Sequence, residues 1–193
     1  MNKENIMEYI KKAPINSVLL AIMVIYFIVI TLNGGTTDTR TLLKFGALFP
    51  PLVKEYGQYY RLITSIFIHI GIMHLFFNSY ALYIFGTQIE RVMGHKKYIL
   101  FFLLTGLGGN LLTYFLSYGT ISAGASGSLF GMFGAFTYLI RHHPDMVTPE
   151  GRKSILKLLG INILLTILVP NISATAHFGG LIAGYLLSYG FIK

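Results

Sequence analysis

The chain has no cysteine, and only 11% of its 193 residues are charged. Without cysteine there are no disulfides, thiolate metal sites or cysteine nucleophiles, and the redox compartment cannot be inferred. The shortage of charge excludes an ordinary soluble domain, which would carry about 25% charged residues. Acids are scarcest, seven in all against fifteen lysines and arginines, giving a net charge of +8. Such a balance could indicate a nucleic-acid surface, but the basic residues sit in short clusters beside apolar segments rather than along one stripe, so they read as markers of membrane topology and no nucleic-acid partner is expected.

What the chain has in plenty is apolar sequence, 54% of all residues. It falls into runs of about 20 residues, the length that crosses a hydrocarbon core of roughly 30 Å. The fold class read from this pattern is an all-α membrane protein. Spans are expected at about 16–33, 73–91, 97–118, 125–141, 154–170 and 175–192. Residues 1–15 form a short cytoplasmic segment and 16–193 a single transmembrane domain. The first run is too long for a signal-peptide core and has no small-residue cleavage site, so neither a cleaved signal nor a transit peptide is expected.

Lys3, Lys11 and Lys12, then Arg91, Lys96 and Lys97, then Arg141, Arg152 and Lys153, and finally Lys193 alternate with uncharged connections near 119–124 and 171–174. By the positive-inside rule both termini are cytoplasmic. The connection at about 34–72 runs against this rule with Arg40, Lys44, Lys54 and Arg61. It also holds Pro50, Pro51, Tyr56, Tyr59, Tyr60 and Phe67, a mixture that suits the outer membrane interface and reads either as a functional loop or as a packing flap.

With this orientation His74, Asn78, Ser126 and His177 all lie in the first turns of inward-running spans, at similar depth. Each has an ordinary reading. A serine among small residues lets helices approach, and His74 and Asn78, spaced i and i+4, could form only a local hydrogen bond. Polar groups inside spans are costly, however, and usually face a cavity or one another. Gly124, Gly127, Gly131 and Gly134 on one segment and Gly180 and Gly184 on the other make two small-residue seams, which would bring Ser126 and His177 within hydrogen-bonding distance.

Serine becomes a nucleophile when a base takes its proton, and histidine is the usual base near neutral pH. A carboxylate commonly orients that histidine. Of the seven acids only Asp38 and Glu55 fall on the outer side, both in the first connection, so the expected unit is a Ser–His dyad. His74, Asn78 and the Ser126 backbone N–H would stabilise the oxyanion. The same polar cavity leaves two other readings open, a small transporter and a non-catalytic membrane-protein binding or quality-control factor. Against transport, the chain has no paired carboxylates, no basic midspan residue and no internal repeat.

"GASG" at Gly124–Gly127, "AHFGGLIAG" at Ala176–Gly184 and "HLFFN" at His74–Asn78, in this order and spacing, resemble the rhomboid family of intramembrane serine proteases. "YYRLITSIFIHIGIMH" before the second span and "IERVMG" at its end are similar to the family as well. The resemblance implies a six-transmembrane-helix rhomboid-like bundle with a long interfacial first loop. It implies Ser126 as nucleophile, His177 as base and later acid, His74 and Asn78 as oxyanion donors, and Gly124 as a residue shaping the site. Two departures are Tyr60, where many members have tryptophan, and Phe130, where some have tyrosine. Neither removes a catalytic role. The implied substrates are single-span transmembrane proteins, entering sideways past the fifth span, in a bilayer that is most simply a bacterial plasma membrane. No cofactor and no metal are implied, and the oligomeric state is not legible.

Overall fold

The computed structural model describes residues 3–192, with side chains from residue 7 onward. Met1, Asn2 and Lys193, the last read above as a marker of sidedness, lie outside the described residues. The described chain is helical, and its one β feature is an isolated antiparallel bridge between Leu48 and Ser122.

A short helix α1 (Lys3–Lys12) leads into α2 (Pro14–Leu32). Proline at the head of α2 is tolerated because the first-turn N–H groups have no partner within a helix. Those of Ile15 and Asn16 donate instead to the carboxylate of Glu90, at 3.0 and 2.8 Å. The buried positions of α2 are Asn16, Leu19, Met23 and Ile30, a single stripe, while Ile22, Ile25, Ile28 and Leu32 are exposed. A helix this apolar on its outward side requires a hydrocarbon surrounding.

The connection after α2 is built rather than slack. It contains α3 (Thr39–Lys44), α4 (Pro50–Tyr56) and α5 (Arg61–Thr64). Asp38 caps α3 by accepting from the hydroxyl and the backbone N–H of Thr41, and these bonds hold its carboxyl below the ordinary aspartate range. Arg61 is 4% exposed and donates to the carbonyls of Leu43 and Ala47 and to Gln58. Its charge thus holds the loop together, which accounts for one of the four basic residues that ran against the topology rule.

The next helical stretch is α6 (Ile72–Ala81), a π-helical turn at Leu82–Gly86, and α7 (Thr87–Met93). It is followed by α8 (His95–Leu116), α9 (Ser126–His142), α10 (Pro149–Leu168) and α11 (Ala174–Phe191). By length and apolarity alone, α2 and α8 could each cross a membrane. The segment Arg61–Phe67 with Ile72–Met93, bent by 90°, would be a third crossing if taken as one. The others fall short for visible reasons: α9 has 17 residues, α10 carries Glu150, Arg152, Lys153 and Lys157, and α11 is rich in glycine and polar residues.

The π turn accompanies a buried polar clasp. Asn16 Nδ2 donates to the Leu82 carbonyl at 2.9 Å, Tyr98 donates to Asn16 Oδ1 at 2.6 Å, and His95 Nδ1 meets Glu90 at 2.6 Å. Glu90, placed by its sequence position with the cytoplasmic acids, is completely buried here. Glu90→Ala leaves the buried Asn16 N–H and the part-buried Ile15 N–H without an acceptor, at about 1–3 kcal/mol for the buried one. A marked fall in the midpoint of thermal unfolding is expected, smaller for Glu90→Gln, whose amide oxygen still accepts. Equal stability of the alanine variant and the wild type would show that the clasp does not hold α2.

At the centre lie α8, α9 and α11. Twelve of the 17 residues of α9 are buried, whereas α10 buries only Ile155 and Thr166. Glycines set the central spacing. A Cβ on Gly180 would collide with the Gly127 carbonyl, one on Gly184 with that of Gly131, and one on Gly134 with that of Leu181. Backbone meets backbone at these three points of the α9–α11 contact, and toward the end of α9 Tyr138 and His142 meet Tyr185 and Tyr189 through side chains.

Candidate active site

Ser126 is the first residue of α9, and the backbone turns into that helix at Gly124, whose φ of +129° suits glycine. The glycine also lets the His74 ring approach, because an added Cβ would lie 2.7 Å from its Cε1 and Nε2 and the ring would have to move. Two contacts from the first connection hold this segment: the Gly124 N–H donates to the Ser65 carbonyl at 2.9 Å, and the Ala125 N–H to His69 Nε2 at 3.4 Å. Ala125 cannot cap α9 with a side chain, so the first-turn N–H groups beginning at Ser126 stay available at the positive end of the helix.

His177 lies in the first turn of α11, which Ser173 caps by accepting from the Ala176 N–H. The residue is 9% exposed, and its ring stacks on Phe130 with centroids 4.0 Å apart and planes 15° from parallel. Nδ1 lies 2.7 Å from the Thr166 hydroxyl. The Gly127–Gly180 contact sets the first turns of α9 and α11 side by side. The direct Ser126–His177 hydrogen bond expected from the seams is not formed: among the described residues the ring's one hydrogen bond is to Thr166. Such bonds are often long without substrate and tighten when it binds.

His74 packs edge-on to His69, at 5.1 Å and 67°, and its Nδ1 accepts weakly from the Ile70 N–H at 3.4 Å. Asn78 is buried. Its Nδ2 donates to the His74 carbonyl at 2.9 Å, the local i, i+4 arrangement, and its Oδ1 has no partner among the described residues. The structure therefore joins His74 to Gly124 directly, sets α11 with His177 against α9 with Ser126, and gives Asn78 a bond on its own helix.

Two residues of this region were missed in the sequence. His69 is completely buried, with Nδ1 3.3 Å from the Phe67 carbonyl. Donating there from Nδ1 leaves Nε2 to accept from Ala125. A second histidine just before His74 was the available signal. Thr166 gave none, because its approach to His177 depends on how α10 packs.

A domain model of the family described as "Rhomboid domain" matches residues 56–193. The chain is 37% identical over 182 residues to Rhomboid protease GluP of Bacillus subtilis (strain 168), covering 90% of this chain and 34% of that protein. It is 31% identical to Putative rhomboid protease YdcA of the same organism, over 96% of this chain and 92% of the relative. Rhomboid-like protease 1 of Toxoplasma gondii is 31% identical, over 89% of this chain and 62% of its own length. The chain belongs to the rhomboid family and is an integral membrane protein. It spans about a third of GluP and nearly all of YdcA.

Proposed function

We propose that this chain is an intramembrane serine endopeptidase that cleaves peptide bonds in or near transmembrane segments through a Ser126–His177 dyad. The observation that carries the reading is the glycine-mediated contact of two helix first turns, one headed by a serine and the other bearing a buried, stacked histidine. The similarity to GluP, a rhomboid protease, and to YdcA, a putative one, supports the same class.

The Ser126 hydroxyl attacks the substrate carbonyl as His177 accepts its proton. The oxyanion forms beside the uncapped first turn of α9, with His74 and the remaining N–H of Asn78 as further donors. The imidazolium then protonates the leaving amine, the C–N bond breaks, and an acyl-enzyme remains. Water attacks this ester as His177 takes a proton from it and returns it to Ser126, releasing the carboxylic acid and the free enzyme.

In our reading residues 16–193 form one domain with six spans, namely α2, the α6–α7 stretch, α8, α9, α10 and α11, and residues 1–15 form a cytoplasmic segment. A span as short as α9 is tolerable because its neighbours enclose it. Both termini face the cytoplasm of a bacterial cell and the dyad opens to the outer side, where water for deacylation is near. The substrate is a single-span protein that unwinds locally to expose a carbonyl and enters past α10, the most sparsely buried of the long helices.

The test is covalent labelling by a fluorophosphonate probe in purified protein, mapped by mass spectrometry. Modification at Ser126, absent in both Ser126→Ala and His177→Ala, is expected. A folded wild type that neither labels nor cleaves a model transmembrane substrate would transfer the reading to a non-catalytic binding protein. For the oxyanion donors, Asn78→Ala should slow turnover by up to about 10²-fold, the lower range for loss of one donor. Turnover at the wild-type rate in both Asn78→Ala and His74→Ala would remove them from that role.

A further inference from the structure

We propose that Thr166 is a positioning residue for His177, filling the orienting role for which the chain offers no carboxylate; this rests on the dyad reading above. Thr166 is 4% exposed and, with Ile155, is one of two buried residues on α10. Its Oγ1 makes two short contacts, 2.6 Å to the Asn162 carbonyl and 2.7 Å to His177 Nδ1.

The two contacts together settle which atom donates. The hydroxyl has one proton and the carbonyl can only accept. If Thr166 gave its proton to Nδ1, its oxygen would face the Asn162 oxygen at 2.6 Å with no hydrogen between them. The arrangement that satisfies both has Thr166 donating to Asn162 and Nδ1–H of His177 donating to Thr166. The neutral ring is then the Nδ1–H tautomer, and Nε2 is the unprotonated nitrogen, as a base for Ser126 requires. The Phe130 stack fixes the plane of the ring and Thr166 its direction within that plane.

The bond to Asn162 is not in itself unusual. Thr31, Thr113 and Thr137 donate to the carbonyl four residues back in the same way. Thr166 differs in that its lone pair meets a histidine of another helix. Among the described residues this is the one side-chain hydrogen bond from α10 to another long helix.

The experiment compares wild type, Thr166→Val and Thr166→Ser in lipid nanodiscs. Imidazole ¹⁵N spectra, with the His177 signals assigned by their loss in His177→Ala, are recorded alongside fluorophosphonate labelling, thermal stability and cleavage kinetics. The wild type should show Nδ1 protonated and Nε2 bare. Thr166→Val should show mixed tautomers and a kcat lowered roughly 10- to 10²-fold with KM little changed, a smaller loss than the roughly 10⁴-fold that follows removal of a charged orienting group. Thr166→Ser should restore both. A bare Nδ1 in the wild type, an unchanged kcat in Thr166→Val, or equal losses of kcat and stability in the valine and serine variants would each overturn the proposal. These are separate from failure of the dyad reading, which would appear as a wild-type Ser126 that does not label.

Discussion

Replacing Ser126 by alanine is expected to lower turnover of a transmembrane substrate by about 10⁴-fold or more, with the fold intact. The loss should be this large because no neighbour can take over. Ser128, the other hydroxyl in the first turn of α9, is completely buried and donates to the Phe102 carbonyl at 2.7 Å. Thr175, near His177, is tied to Thr113 and Ser117. His177→Ala should cost a similar factor. The double variant should be little worse than either single one, since nucleophile and base act as a unit. Single-turnover cleavage in liposomes measures all three, with Ser128→Ala as the control that changes stability rather than chemistry. Residual turnover above about one per cent of wild type in Ser126→Ala would assign the attack to another group.

How far the sequence could be read depended on whether a feature was local. The long apolar stretches, the family strings and the glycine spacings each lie within a short run of chain, and they pointed to an all-α membrane protein of the rhomboid family. Contacts between segments far apart in the chain left no such trace. Thr166 looks like any threonine in an apolar helix until α10 is laid against α11. Glu90 looked like an acid at the end of a span, whereas it closes the N-terminus of α2, more than seventy residues earlier in the chain. The first connection could be recognised as unusual from its aromatic and basic residues. Its part in holding Gly124 and Ala125 through Ser65 and His69 depends on pairings that carry no sequence pattern. The π turn at Leu82–Gly86 was likewise hidden, since its surroundings, Asn16 and Tyr98, lie on other helices.

Gly180→Ala and Gly184→Ala should each be severely damaging although they add one methyl group, because that methyl meets main chain. At Gly180 it would lie 3.0 Å from the Gly127 Cα and closer still to the Gly127 carbonyl, and at Gly184 it would lie 2.6 Å from the Gly131 Cα. A side chain could rotate aside, but helix backbone can yield only if α9 and α11 separate. Overpacking of this kind costs about 1–3 kcal/mol. The effect on chemistry should be larger than the effect on stability, since a displacement of about 1 Å between reacting groups can cost roughly 10²-fold in rate. Gly190 lies on the same helix with nothing within 4 Å of an added Cβ, and Gly160 on α10 is equally open. Alanine there should be neutral or stabilising by up to about 1 kcal/mol, through the lower chain entropy of the unfolded state. Thermal unfolding and cleavage rates for the four variants therefore separate a general response to alanine from the closeness of one helix pair. Wild-type stability and rate in both Gly180→Ala and Gly184→Ala would mean that the serine-bearing and histidine-bearing turns are not held at backbone contact, and the geometric basis of the dyad would go with them.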